Sequence, residues 1–118
     1  MNTKLNADRI KLTPEQVAFY RDNGFLLVEN LVGPAEIEAI KTDAIRLCRG
    51  EYPCEAITPI DPSIPDAEVL KEFLGIVQPH KISPIMLQMV KHPGIVQVLT
   101  QLIGPNVKCM QSMLFIKP

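Results

Sequence analysis

Residues 12–40 read LTPEQVAFYRDNGFLLVENLVGPAEIEAI, and they predict a helix, a short strand and the start of a second helix. Thr13 is a typical N-cap residue, and Gln16, three positions later, completes a capping box. Gly24 is a typical C-terminal stop for this helix. The apolar run at 25–28 follows the stop immediately and has the length of a buried strand. The stretch therefore predicts helix and strand together near the start of one domain.

Helical spacing of apolar residues predicts four further helices. The first begins after Pro34, and the second covers residues 66–74. The third begins after Ser83, and the fourth begins after Pro93 and ends at Gly104. In the helix after Pro34, Asp43 belongs to the polar faces and lies away from the apolar stripe. Four prolines between residues 52 and 65 predict a loop that wraps the same domain, because proline interrupts regular structure. Residues 76–78 predict a second short strand.

Composition excludes several classes of protein. The chain has 118 residues, of which 47% are hydrophobic, and a formal net charge of −1. These values predict one globular domain and no nucleic-acid partner, since nucleic-acid-binding domains are usually basic. No apolar run is long enough to span a membrane, and residues 1–13 lack the apolar core of a signal peptide, so we expect a cytoplasmic protein. Cys48, Cys54 and Cys109 are odd in number and irregularly spaced, which is typical of reduced thiols.

Carboxylates are absent from the last 46 residues, because all 13 Asp and Glu lie at or before Glu72. No acid/base pair of carboxylates and no carboxylate metal site can be built from residues 73–118. The chain also lacks a phosphate-binding loop, a nucleophile elbow and a zinc-binding HExxH helix. A zinc site that combines the three cysteines with a histidine is disfavoured by their spacing.

The two histidines allow different interpretations. His92 precedes a proline at a helix junction, and a structural role towards nearby backbone groups is favoured over a functional one. His80 follows the strand predicted at 76–78. For His80 a structural role and a functional role are more evenly balanced, because strand ends often line pockets.

The segment from Val107 to Lys117 alternates as a strand does. With a period of two, Gln111, Met113 and Lys117 lie on one face. Gln and Lys are costly to bury without a partner, and Lys117 could pair with a ligand carboxylate. The alternative is an edge strand whose end, at Lys117, extends into solvent. The pattern alone leaves both open.

Four segments in this order resemble the phytanoyl-CoA dioxygenase family of iron(II)- and 2-oxoglutarate-dependent oxygenases. They are residues 12–40, IVQPHKISP at 76–84, HPGIVQVLTQLIGPNV at 92–107, and MQSMLFIKP at 110–118. The resemblance implies an α+β fold, in which a helical N-terminal region leads into the first strands of a truncated double-stranded β-helix (jelly-roll or cupin-like) core.

The resemblance also implies an organisation of the chain. We expect a single partial domain, with residues 1–11 as a flexible arm, 12–104 as the helical N-terminal region with short strands, and 107–117 as an early core strand. The chain would then be the N-terminal portion of such an oxygenase, ended early by truncation or by a fragmentary gene.

Enzymes of this family hydroxylate an unactivated carbon of a small-molecule substrate with Fe(II), O₂ and 2-oxoglutarate. Their iron is held by an H-x-D pair and a distant histidine, and neither is present here. We therefore expect no catalytic residue, no metal ligand and no activity in the 118 residues alone, and no tight binding of either cofactor. By resemblance, Gln111 matches a position that faces the substrate in some relatives. Met113 and Lys117 match positions that contact 2-oxoglutarate, although which of the two serves varies among relatives. His80 receives no role.

A second hypothesis comes from a different class. The chain could be a non-catalytic, helical protein-interaction module that uses exposed apolar surface and the unpaired edge of its last strand.

Overall fold

The computed structural model of the protein describes residues 10–55, 57–58 and 60–117, which contain helices and one two-stranded antiparallel sheet. In chain order the elements are α1 (Pro14–Asn23), α2 (Pro34–Cys48), α3 (Asp66–Lys71), β1 (Gly75–Val77), a 3₁₀ helix (Pro79–Lys81), α4 (Pro84–Val90), α5 (Pro93–Ile103) and β2 (Met113–Phe115). This content confirms the prediction of mixed helix and strand. Among the described helices, none has the length and apolar character needed to cross a membrane.

The chain divides into two compact units. The first unit comprises residues 10–33 and 91–108 of the described chain and contains α1 and α5. The second unit comprises the described residues of 34–90 and 109–117 and contains the other elements.

Helix α1 in the first unit begins and ends as the sequence predicts. The Thr13 hydroxyl accepts a hydrogen bond from the Gln16 amide at 3.1 Å, and the Gln16 side chain accepts one from the Thr13 amide at 2.9 Å. This capping box satisfies two amides that have no partner within the helix. Gly24 ends the helix with a φ of +80°, which favours glycine.

Residues 10–12 are held along α5 by two glutamines. The Gln97 side chain accepts a hydrogen bond from the Ile10 amide, and the Gln101 side chain accepts one from the Leu12 amide, both at 2.9 Å. Gln101 also donates to the Ile10 carbonyl at 2.6 Å. Residues 1–9 of the predicted arm lie outside the described residues, whereas the backbone at Ile10 is hydrogen-bonded on both sides.

The prediction of a strand at residues 25–28 is wrong, because these residues form no strand. Phe25 and Leu27 are 60% and 75% exposed. A strand requires a neighbouring strand for its amides and carbonyls, and no described segment pairs with this one. Phe25 instead makes an edge-to-face contact with Phe19 of α1, with ring centroids 5.2 Å apart.

The core of the second unit forms where α2 meets α3, β1 and α4. Its most buried apolar side chains are Ala44, Leu47, Cys48, Ile57, Val69, Ile76 and Met86. Helix α2 ends at Cys48, and Gly50 follows it with a φ of +70°. Helix α3 ends at Lys71 and is therefore shorter than the predicted 66–74. The described residues of 52–65 form a loop, and Arg49 holds it by binding the Ile64 carbonyl and the Asp66 carboxylate.

Strands β1 and β2 pair in antiparallel register, with Ile76 opposite Leu114 and Val77 opposite Met113. The hydrogen-bonded strand β2 is shorter than the predicted 107–117. The reason is the length of its partner, because β1 has three residues and Pro79 follows it closely. Proline has no amide hydrogen to extend a ladder.

Candidate functional site

One face of the segment around β2 carries the three residues that the sequence singles out. Gln111, Met113 and Lys117 are all exposed, and Phe115 lies between the last two. The intervening side chains of Ser112, Leu114 and Ile116 are half-buried, and the last two pack against the core. The predicted alternation is therefore confirmed over residues 111–117, although the ladder itself covers only β2.

The chemistry of this face suits a small polar ligand. The Gln111 amide both donates and accepts, the Lys117 ammonium donates to anions, and the Met113 thioether is soft and apolar. Met113 and Lys117 are four residues apart, which corresponds to ~13 Å of extended chain. Both side chains can contact one small ligand only if they lean towards each other.

Ser112, between Gln111 and Met113, is fixed by three hydrogen bonds. Its carbonyl accepts from the Gln78 amide at 2.9 Å, and its amide donates to Gln78 Oε1 at 3.1 Å. Its hydroxyl is 2.5 Å from His80 Nδ1. The structure thus brings His80, which the sequence left without a role, next to the candidate face. Gln78 was not anticipated as a partner of Ser112, and its only signal in the sequence is its position between a short strand and a proline.

His92, in the first unit, has the structural role that the sequence favours. It is the N-cap of α5, and its Nδ1 accepts a hydrogen bond from the Gly94 amide at 3.1 Å. Gly94 is tightly enclosed, since an added Cβ would lie 3.0 Å from Leu31 and 3.1 Å from Ile10. This histidine therefore helps to begin helix α5.

A buried carboxylate in the second unit was not anticipated. Asp43 is 2% exposed and accepts hydrogen bonds from the hydroxyls of Tyr52 and Ser83. The assignment of Asp43 to an outer, polar face of α2 is therefore wrong. The hydrogen bond to Asp43 raises the pKa of Tyr52, because it stabilises the protonated phenol. Ser83 also caps α4, as its hydroxyl accepts from the Met86 amide at 3.2 Å.

The thiols and the other potential metal ligands are dispersed. Cys48 is buried, Cys54 half-buried and Cys109 exposed, and all three are free. Burial raises the pKa of the Cys48 thiol, which is typical of a structural cysteine. Within residues 10–55, 57–58 and 60–117, no group of three or more His, Cys, Asp or Glu is placed to hold a metal ion.

Comparison with known proteins identifies the family. The family model described as Phytanoyl-CoA dioxygenase (PhyH) matches residues 20–118. The chain is 31% identical over 114 residues to the peroxisomal phytanoyl-CoA dioxygenase of Homo sapiens, which covers 94% of this chain and 34% of the relative. The Bos taurus enzyme of the same name is also 31% identical, over 110 residues, with 91% and 33% covered.

A second named activity occurs among the relatives. The ectoine dioxygenase of Bordetella parapertussis is 31% identical over 110 residues, covering 91% of this chain and 33% of the relative. These matches define a class, the dioxygenases. This chain belongs to the phytanoyl-CoA dioxygenase (PhyH) family. It spans about a third of the length of the curated relatives it matches, and no solved structure matches it significantly.

The cofactors of the family fit the described residues unequally. Iron does not fit, because no set of ligand side chains converges in the described part of the chain. For 2-oxoglutarate, the described residues offer the cation of Lys117 and the thioether of Met113, both exposed on the face around β2. The cytoplasmic location stays a prediction.

Proposed function

We propose that the protein acts as an Fe(II)- and 2-oxoglutarate-dependent oxygenase that hydroxylates an unactivated carbon of a small-molecule substrate. The family match over residues 20–118 carries this proposal. In it, the described residues supply the helical N-terminal region and an early strand of a double-stranded β-helix core. The chain is one partial domain of this fold.

The face around β2 has the binding role in this proposal. Lys117 pairs with a carboxylate of 2-oxoglutarate, and Met113 packs against its apolar carbons. Gln111 faces the substrate, where its amide can accept or donate a hydrogen bond. All three side chains are exposed on the side opposite the core-facing Leu114 and Ile116. Iron, when bound, supplies the oxidising chemistry, and we assign none of its ligands to the described residues.

The 118-residue chain by itself is expected not to bind iron(II) and 2-oxoglutarate stoichiometrically. The physical reason is the lack of a converging ligand set among the described residues. Anaerobic isothermal titration calorimetry of the purified chain measures this directly. Stoichiometric binding with micromolar affinity would contradict the expectation. The same titration with a full-length protein that contains an H-x-D pair and a later histidine is the positive control.

A second candidate function is a non-catalytic protein-interaction module. The observation in its favour is the apolar surface around the sheet, where Leu74, Val77 and Phe115 are 90%, 58% and 71% exposed. Both strands of a two-stranded sheet also have one unpaired edge, which another strand can extend.

Cooperative folding separates the two candidates. An interaction module is expected to be monodisperse and to unfold in one sharp transition, because it must be stable before it meets its partner. Part of an oxygenase core is expected to aggregate or to populate loosely packed states that bind a hydrophobic dye. Analytical ultracentrifugation combined with urea unfolding of the chain measures the difference. A single sharp transition of a monodisperse chain would favour the module.

A further inference from the structure

The sheet ends in an unusual residue pair. The register of β1 and β2 places Gln78 opposite Ser112, one pair beyond Val77 and Met113. In a regular antiparallel ladder, such a hydrogen-bonded pair exchanges two bonds between backbone amides and carbonyls. Only one of these is present, from the Gln78 amide to the Ser112 carbonyl at 2.9 Å.

The side chain of Gln78 replaces its own carbonyl in this pair. The Gln78 backbone is left-handed, with a φ of +55° and a ψ of +46°, so its carbonyl turns away and accepts from the Lys81 amide at 3.0 Å. The vacated position opposite the Ser112 amide is filled by Gln78 Oε1 at 3.1 Å. A left-handed backbone is unfavourable for a residue with a Cβ. Glycine would relieve this strain but has no side chain to bind Ser112.

His80 provides the third hydrogen bond to Ser112. The 3₁₀ helix Pro79–Lys81, which the turn at Gln78 begins, places His80 Nδ1 2.5 Å from the Ser112 hydroxyl. The amide, the carbonyl and the hydroxyl of Ser112 are therefore all bound by Gln78 and His80. We call these three residues the Ser112 clamp.

We propose that Gln78 and His80 are positioning residues that orient the side chains of Gln111 and Met113 on the candidate binding face. Because side chains alternate along an extended chain, a fixed inward orientation of Ser112 forces both neighbours outward. This matters at Gln111 in particular, because Gln111 lies outside β2 and has no ladder of its own. This inference rests on the proposed function for the identity of the ligands that these side chains bind. The orientation of the side chains does not depend on the proposed function.

The structural part of the test uses NMR on the full-length protein. In Gln78→Ala, we expect the Ser112 amide to exchange with solvent at least ~10-fold faster, because it loses its acceptor. We expect the Met113 methyl resonance to shift in Gln78→Ala and in His80→Ala. Gln78→Glu, which retains an acceptor oxygen, should restore slow exchange. The matched control is Gln88→Ala, which removes an exposed amide from α4 and should change neither signal.

The functional part uses the full-length protein. Gln78→Ala and His80→Ala are expected to raise the KM for 2-oxoglutarate or for the substrate about fivefold, corresponding to about 1 kcal/mol. Gln78→Glu and Gln88→Ala are expected to keep the wild-type values. Met86→Ala, which weakens the core of the second unit without a bond to Ser112, should lower the midpoint of thermal unfolding and leave KM unchanged.

Each outcome separates the two proposals. Unchanged Ser112 exchange and an unchanged Met113 resonance in Gln78→Ala would overturn the clamp. Changed NMR signals with an unchanged KM would reduce Gln78 and His80 to structural residues and overturn the positioning role. A wild-type protein that does not turn over 2-oxoglutarate would refute the proposed function, while the two NMR readouts would still decide whether the clamp orients this face.

Discussion

Replacing Asp43 with alanine in the full-length protein is expected to lower the free energy of unfolding by about 3 kcal/mol. Asp43 is 2% exposed, and it is the acceptor for the hydroxyls of Tyr52 and Ser83. Without it, both donors lose a charged partner, and the Ser83 hydroxyl stays buried at 1% exposure. Urea unfolding followed by far-UV circular dichroism measures the change.

A conservative variant and a surface variant define how Asp43 acts. Asp43→Asn keeps one carbonyl oxygen as acceptor and should lose less stability than Asp43→Ala. Glu38→Ala, on the same helix, removes an exposed carboxylate that pairs with Lys41 at 3.2 Å. Exposed pairs of this kind contribute little, so Glu38→Ala should unfold close to the wild-type urea concentration. An equal effect of Glu38→Ala and Asp43→Ala would contradict the burial argument.

The pH dependence of stability gives an independent measurement of the same bond. The hydrogen bond to Asp43 raises the pKa of Tyr52 in the folded state. Because the pKa is raised in the folded state, the Tyr52–Asp43 hydrogen bond makes its full contribution to stability below the pKa of a free tyrosine, about 10. That contribution is lost as the pH rises through the raised value. The stability difference between the wild type and Asp43→Ala should therefore shrink by the share of the Tyr52 bond as the pH rises above ~10, while the share of the Ser83 bond remains. A difference that stays constant from neutral pH to that range would argue against the Tyr52 bond.

Local signals in the sequence predicted both ends of α1 and the start of α4, although not the end of α3. The capping partners Thr13 and Gln16 are three positions apart, and Gly24 directly follows the helix that it ends. Their roles therefore follow from backbone chemistry alone. The same holds for Ser83, whose hydroxyl accepts from an amide three residues later. Such contacts need no knowledge of the tertiary fold.

Features that depend on distant partners were not predictable in this way. The apolar run at 25–28 has the composition of a strand, but the described residues offer it no neighbouring strand. Asp43 lies on the polar side by helical periodicity, yet its partners are 9 and 40 residues away in the chain. Neither partner can be read from a hydrophobic pattern, because the pattern treats every carboxylate as a surface group.

The same distinction between local signals and distant partners applies to the candidate site. A period of two suffices to place Gln111, Met113 and Lys117 on one face, and the exposure of these residues agrees with it. The role of Gln78 required the register of the two strands and the backbone angle at that residue. A side chain that takes the place of a carbonyl leaves no periodic signal.

Replacing Lys117 with methionine in the full-length protein is expected to raise the KM for 2-oxoglutarate by about 10- to 100-fold. A hydrogen bond between two charged groups contributes about 1.5–3 kcal/mol, and each 1.4 kcal/mol corresponds to a factor of ten. Methionine retains most of the length and apolar character of the lysine stem, so the change isolates the ammonium group. Steady-state kinetics with varied 2-oxoglutarate and saturating substrate measure the effect.

Three further variants make the Lys117 experiment decisive. Lys117→Arg keeps a cation and should recover much of the affinity, although its planar group binds carboxylates with a different geometry. Lys91→Met removes an exposed lysine from the first unit and should leave the KM unchanged. Met113→Ala should raise the KM less than Lys117→Met, because it removes an apolar contact rather than a charge. If Lys117→Met keeps the wild-type KM and Met113→Ala raises it, Met113 rather than Lys117 contacts 2-oxoglutarate on this face.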